Sequence, residues 1–344
     1  MPNKIEQGHF GKTRDGKEIS RFKFSNLNNV TVEIINFGCY ITSINVPDRN
    51  GKFKDIALGY NTIEEYEDDQ FYLNSVVGRC ANRICKGKFT IDGETHQLNV
   101  NNGPNHLHGG LCGFNKKVWE AEVHDTCLIL SYTSPDMEEN YPGALTVHIR
   151  YELTDDNEFN IHMTAETTKT CPVNMTQHTY FNLAGHDHGN VYDHLLTLYC
   201  DKFTPKDGTG IPLGEMAPVS GSVYDFRQPS SMGKHINEVP GDIGYDHSYR
   251  INDPSLSSTF ARVEDPASGR VLEVSTNQPS VHLYSGNYLD CKGKDGSVYK
   301  KHAGFCLEQQ NFPDAINQPN FPDCLLRPGK KYLHDCVYRF SIKK

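Results

Sequence analysis

Leu145-Thr146-Val147-His148-Ile149-Arg150-Tyr151-Glu152-Leu153 is the stretch that decides the fold class. Its apolar residues alternate one for one with Thr, His, Arg and Glu. A period of two puts the odd-numbered side chains on one face of an extended strand. After the turn residues Asp155-Asp156-Asn157 the same alternation resumes with Phe159, Ile161 and Met163. The pair predicts a β-hairpin with one buried face. Working outward, Val30 to Val46, Cys127 to Thr133, Leu195 to Cys200, Val271 to Thr276 and Tyr338 to Ile342 read as further strands. Gly, Pro, Asn and Asp clusters separate them. Helical signals are few. Thr62-Ile63-Glu64-Glu65 spells a capping box and predicts a turn or two of helix, and Ser231 to Val239 predicts another short one. Many short strands without crossover helices point to antiparallel pairing. No shift in composition marks a boundary, so residues 1–344 read as one large all-β domain of sandwich type.

The 344 residues are 37% hydrophobic and 22% charged, enough to build a core without disulfide or metal staples. The 34 basic and 43 acidic residues give a net charge of −9. A mildly acidic chain without a basic block does not suit a phosphate backbone or an anionic membrane surface. No run approaches the ~20 apolar residues of a membrane helix, and the first residues carry no apolar leader segment. The 11 cysteines are odd in number and scattered, which fits free thiols in a reducing cytoplasm.

Four segments hold the residue types that carry chemistry. Gly78-Arg79-Cys80-Ala81-Asn82-Arg83-Ile84 places two guanidinium forks and an amide within five residues, suited to hydroxyls or to paired surface acids. Asn105-His106-Leu107-His108-Gly109-Gly110 has the H-x-H spacing of some metal sites, but no carboxylate follows within the next five residues. Its Gly-Gly pair suggests a backbone kept bare near a ligand or in a tight turn. In Asn174-Met175-Thr176-Gln177-His178-Thr179-Tyr180-Phe181-Asn182, alternation sets Asn174, Thr176, His178, Tyr180 and Asn182 on one polar face, which is either solvated or the lining of a sugar cleft. In Gly304-Phe305-Cys306-Leu307-Glu308-Gln309-Gln310-Asn311-Phe312, Glu308 has no cation within five positions. If buried, its pKa rises toward the working range of a general base. Spacing does not bring His178 and Glu308 together.

Taken in order, the strings GRCANRICKGKF, NHLHGG, NMTQHTYFNLAG, GYDH, NQPSVHLYSGN and GFCLEQQNFPDAINQP resemble the aldose 1-epimerase (galactose mutarotase) family over residues 38 to 330. The resemblance implies a large antiparallel supersandwich with an open sugar cleft. It implies His178 as general acid, Glu308 as general base, and Asn82, Arg83, His108, Asp246 and Gln278 around the sugar hydroxyls. It implies no metal or organic cofactor, and a cytoplasmic isomerase of free hexoses such as galactose and glucose. The partner is then a monosaccharide rather than a nucleic acid or a membrane, with the chain a monomer or weak dimer. Two positions depart from the family pattern. Phe312 stands where Trp is common and Ser280 where Gly is common, so Phe312 would offer a smaller apolar edge to the sugar. A non-catalytic sugar sensor would keep Arg83, His108 and Asp246 but lose Glu308 or His178, and both are present. A hexose-6-phosphate epimerase would want a basic cluster, which Lys86 and Lys88 do not make. A glycosidase would want two carboxylates flanking the bond, and only Glu308 and Asp246 are candidates.

Overall fold

The computed structural model describes residues 4–241 and 244–344. Three antiparallel sheets dominate it. Five strands in chain order, from Lys4–Lys12 to Phe53–Asp55, form the first. The second has nine strands, with Leu145–Leu153, Glu158–Thr167 and Tyr332–Ile342 adjacent at its centre. The third has six, in the order Tyr180–Phe181, Phe305–Gln310, Ser280–Tyr284, Asp246–Arg250, Lys202–Phe203 and Ala217–Pro218.

The predicted hairpin is present, with Leu145 opposite Thr167 and Leu153 opposite Phe159. Leu145, Val147, Ile149, Tyr151 and Leu153 are all buried, while His148 is exposed. The alternation therefore reports burial directly. These side chains belong to one apolar cluster that runs from Phe22 to Phe340 and joins the sheets. Phe24 meets Phe159 edge-on across two of them, and Phe181 meets Tyr338 across another pair.

Three expectations need correction. Residues 30–46 are two strands, Thr31–Ile35 and Ile41–Pro47, because the chain turns through Gly38 and Cys39, both at positive φ. Residues 231–239 hold no helix. Met232 and Gly233 spend their N–H groups on the carbonyls of His194 and Tyr192, which ties this run of turns to the edge of the nine-stranded sheet. A Cβ at Gly233 would lie 2.6 Å from Tyr192 Cβ. Lastly, the polar stretch 174–182 is not one strand but two short ones, Thr176–Gln177 and Tyr180–Phe181. The helix at Ile63–Asp68 is as expected, with the Glu65 carboxylate accepting the Thr62 N–H at 3.0 Å.

Candidate active site

Register across the six-stranded sheet assembles the floor of a cleft. Glu308 lies opposite His282, and His282 lies opposite Ser248. Period two then puts Tyr284 and Asp246, which lie opposite each other in the next row, on the same face. Residue 178 enters from the segment just before Tyr180–Phe181. That segment is clamped on both sides. Asn74 donates its N–H to the His178 carbonyl at 3.1 Å, and the His178 N–H reaches Ser75 O at 2.8 Å. Tyr151, from the nine-stranded sheet, donates to Gln177 Oε1 at 2.9 Å.

The opposite wall comes from residues 70–72, 82–83, 102 and 107–108. Here the glycine pair explains itself. A Cβ at Gly109 would stand 1.8 Å from the Gly78 carbonyl oxygen, and its φ is +83°. Only glycine lets these two backbones touch. Their contact brings His108 beside Asn82. His108 N donates to Asn82 O at 3.0 Å, and Asn82 N donates to His108 Nδ1 at 3.2 Å. That bond leaves Nδ1 as an acceptor, so the neutral ring carries its proton on Nε2. Asp69 accepts from Tyr40 and Tyr60 hydroxyls and from the N–H groups of Phe71 and Leu73. It thereby holds the loop that sets Tyr72 against His108, with ring centroids 4.6 Å apart.

Glu308, His178, His108, Asn82, Arg83 and Asp246 all line one cavity of about 210 Å³. His178 Nε2 and Glu308 Oε1 are 3.6 Å apart, and both side chains are almost wholly buried. Among the described residues Glu308 Oε2 has no hydrogen-bond partner. Burial raises the Glu308 carboxyl well above the usual range, reinforced by the charge of Asp246 and opposed by Arg83. Burial lowers His178 to about 3, and His282 acts in the same direction. His178 Nδ1 rests 3.6 Å from Cys306 Sγ. Asp246 is different. Burial alone would raise it, but the hydrogen bond from His282 and the charge of Lys206 hold it well below the ordinary carboxylate range. Arg83 Nε donates to Asn102 Oδ1 at 3.0 Å, and Gly210 packs so closely that a Cβ there would lie 2.9 Å from the guanidinium.

Other expected residues lie elsewhere. Gln278 does not reach the cavity. It sits two residues before the strand Ser280–Tyr284, and its amide donates to Asn277 Oδ1 and Leu333 O. Phe312 is not an edge to the sugar either. It is buried, 4.8 Å from the Phe321 ring, and lines a separate groove with Pro279 and Pro322. Ser280 donates its hydroxyl to Gln310 O within the sheet. Of the five residues on the polar face of 174–182, only His178 and Tyr180 line the cavity, while Asn174 and Asn182 bond to Asn311 O and Ala303 O. Arg79 points away, bonded to Ser134, Gly143 and Pro135. His106 turns to Asn99 O and Tyr141, so the two histidines of H-x-H do not converge. Among the described residues no three His, Cys, Asp or Glu groups are placed to hold a metal ion. His282, Tyr284, Tyr72, Asn102 and Tyr288 also line the cavity. Period two from Ser280 could have suggested His282 and Tyr284. Nothing local marks Tyr72.

A polar, sugar-sized cavity in a supersandwich, with a buried imidazole facing a buried carboxyl, defines a carbohydrate-active protein of the acid–base type. The aldose 1-epimerase family model matches residues 20–339. Galactose mutarotase of Sus scrofa is 47% identical over 313 residues, covering 90% of this chain and 91% of the relative. Aldose 1-epimerase of Escherichia coli K12 is 33% identical, covering 95% and 96% of the two chains. The crystal structure of an aldose epimerase homologue from C. elegans superposes with a TM-score of 0.88 at 31% identity, covering 98% of this chain and all of that one. The chain belongs to the aldose 1-epimerase family.

Proposed function

We propose that this chain is an isomerase interconverting the α and β anomers of free hexoses such as galactose and glucose, with Glu308 as base and His178 as acid. The observation that carries it is the 3.6 Å approach of His178 Nε2 to Glu308 Oε1 at the floor of a cleft lined by polar side chains. The reaction opens the sugar ring and recloses it on the other face. Opening removes the proton of the anomeric hydroxyl and supplies one to the ring oxygen. Both oxygens sit on the same carbon, so acid and base must sit side by side. Rotation about C1–C2 precedes reclosure, in which the two groups exchange roles.

The buried pair needs only one mobile proton. Neutral imidazole with carboxylic acid and imidazolium with carboxylate hold the same number of protons, so they are two placements of one proton in a coupled site. Burial favours the first in the empty cavity. Hydroxyls donated to Glu308 by a bound sugar favour the second, which is the form that works on the ring. His108 Nε2–H and the Arg83 fork supply donors to the ring side, and Asp246 and Asn82 bind hydroxyls. Each well-placed acid or base contributes roughly 10²–10⁴ in rate.

Residues 1–344 act as one catalytic domain, a monomer or weak dimer in the cytoplasm. The support for that compartment is that none of the 11 cysteines is in a disulfide. Polarimetry on freshly dissolved α-D-galactose and α-D-glucose is the direct test. Rotation decaying no faster than in buffer would refute the activity.

A further inference from the structure

Beside the acid–base pair runs a second chain of buried polar groups. Ser248 Oγ lies 2.8 Å from His282 Nδ1, and His282 Nε2 lies 2.7 Å from Asp246 Oδ1. Lys206 Nζ stands 2.8 Å from Asp246 Oδ2 and 2.7 Å from the Asp246 carbonyl oxygen. Ser248 is 2% exposed and His282 4%.

Donor and acceptor accounting settles the ring. Asp246 is held ionised and can only accept, so His282 Nε2 must carry a hydrogen. Burial lowers the His282 pKa, so the ring is neutral. Its Nδ1 is then bare and accepts from the Ser248 hydroxyl. A carboxylate offers about four lone-pair sites, and His282 and Lys206 take one on each oxygen. The remaining sites are those available to a sugar in the cavity that Asp246 lines.

We propose that His282, held in its Nε2–H tautomer by Ser248, is a positioning residue. It fixes the plane of the Asp246 carboxylate, with Lys206 securing the other oxygen, so that Asp246 meets a sugar hydroxyl already aligned. This rests on the reading of Asp246 as a hydroxyl ligand. His282, in the row between Ser248 and Glu308, touches the acceptor rather than the reacting pair.

The test compares wild type with His282→Gln, His282→Leu and Ser248→Ala by α-D-galactose polarimetry and calorimetric galactose binding. Leucine removes the N–H and should lower kcat/KM at least about tenfold, chiefly through KM, as loss of a bond to a charged group does. Glutamine keeps an N–H donor and should stay within about threefold of wild type. A ¹⁵N spectrum of the imidazole rings reads the tautomer independently of turnover. His282 should show Nε2–H in wild type and lose that fixed pattern in Ser248→Ala. A folded His282→Leu with kcat/KM within twofold of wild type would overturn the proposal. So would equal losses in the Leu and Gln variants, or a His282 protonated at Nδ1. Should wild type fail to turn over galactose, the spectrum still decides the tautomer, and the failure belongs to the proposed activity.

Discussion

Glu308 and His178 carry a charge problem that each solves for the other. An isolated carboxylate in this cavity would be costly, and so would an isolated imidazolium. Sharing one proton keeps the empty site neutral. Glu308→Gln preserves size and a carbonyl oxygen but cannot take a proton at neutral pH. Its kcat should fall at least ~10²-fold with little change in galactose affinity by calorimetry. His178→Asn should behave similarly. Arg83→Ala should weaken binding as well as rate, because the guanidinium fork is proposed to hold the sugar. Near-wild-type kcat in Glu308→Gln would exclude Glu308 as the base. The pH dependence follows from the same pair. The active form holds one proton. Adding a second requires protonating the depressed His178, and removing the only one requires ionising the raised Glu308. The acidic limb therefore reports His178 and the basic limb Glu308, as macroscopic values of the pair. kcat/KM should be bell-shaped with its plateau across neutrality. A tenfold fall per pH unit between 7 and 6, after subtracting uncatalysed mutarotation, would contradict this.

Strand periodicity was readable in the longer half-buried strands, but not in Lys4–Lys12, none of whose residues is buried. Leu145–Leu153 shows it because four cycles of alternation fit in nine residues. Thr176–Gln177 and Tyr180–Phe181 have two residues each, so no period could distinguish them from a single polar strand. The candidate site was legible through the resemblance and not through periodicity, which could not bring His178 and Glu308 together. Six of the seven residues that the resemblance implies line the cavity. Gln278 does not line the cavity, and a string does not say which of its residues faces inward. That is decided by pairing with Phe305–Gln310, some 30 residues away, and it selects His282. Phe312 failed likewise, since its partner Phe321 lies across a loop. Close backbone contact is a property of this scale too. At Gly109 a methyl group meets the Gly78 carbonyl at 1.8 Å and the φ of +83° is strained for any L side chain. Gly109→Ala should cost about 3 kcal/mol or more of stability, from overpacking plus backbone strain. It should also lower kcat/KM by separating His108 from Asn82. Urea unfolding and polarimetry measure both, and a variant with an unchanged midpoint would show that this contact yields freely.

Across the whole molecule the buried histidines set the acid stability. His247 is lowered to about 3 and His334 to about 4, with burial the main cause in both. His106, His108 and His282 are lowered for the same reason. Unfolded, each would titrate near 6.5. Between those values the unfolded chain binds more protons than the folded one, so stability is full above about pH 6.5 and is lost as pH falls. At pH 5 a histidine that stays neutral in the fold contributes a loss of about 2 kcal/mol. Glu308, Asp69 and Asp314 work the other way, because burial raises their folded pKa values. They destabilise the fold at neutral pH and cease to do so on acidification. The histidines outnumber them, so Tm should drop by at least about 5 °C between pH 7.5 and pH 5. Glu308→Gln separates the two sets. It removes one opposing group, so it should be more stable than wild type at pH 7.5 and should lose more on going to pH 5. Thermal unfolding of both proteins at both pH values decides it. A wild type as stable at pH 5 as at pH 7.5 would mean that the histidines are hydrated or charged within the fold. A Gln variant less stable than wild type at pH 7.5 would mean that the Glu308 carboxyl rests there without strain.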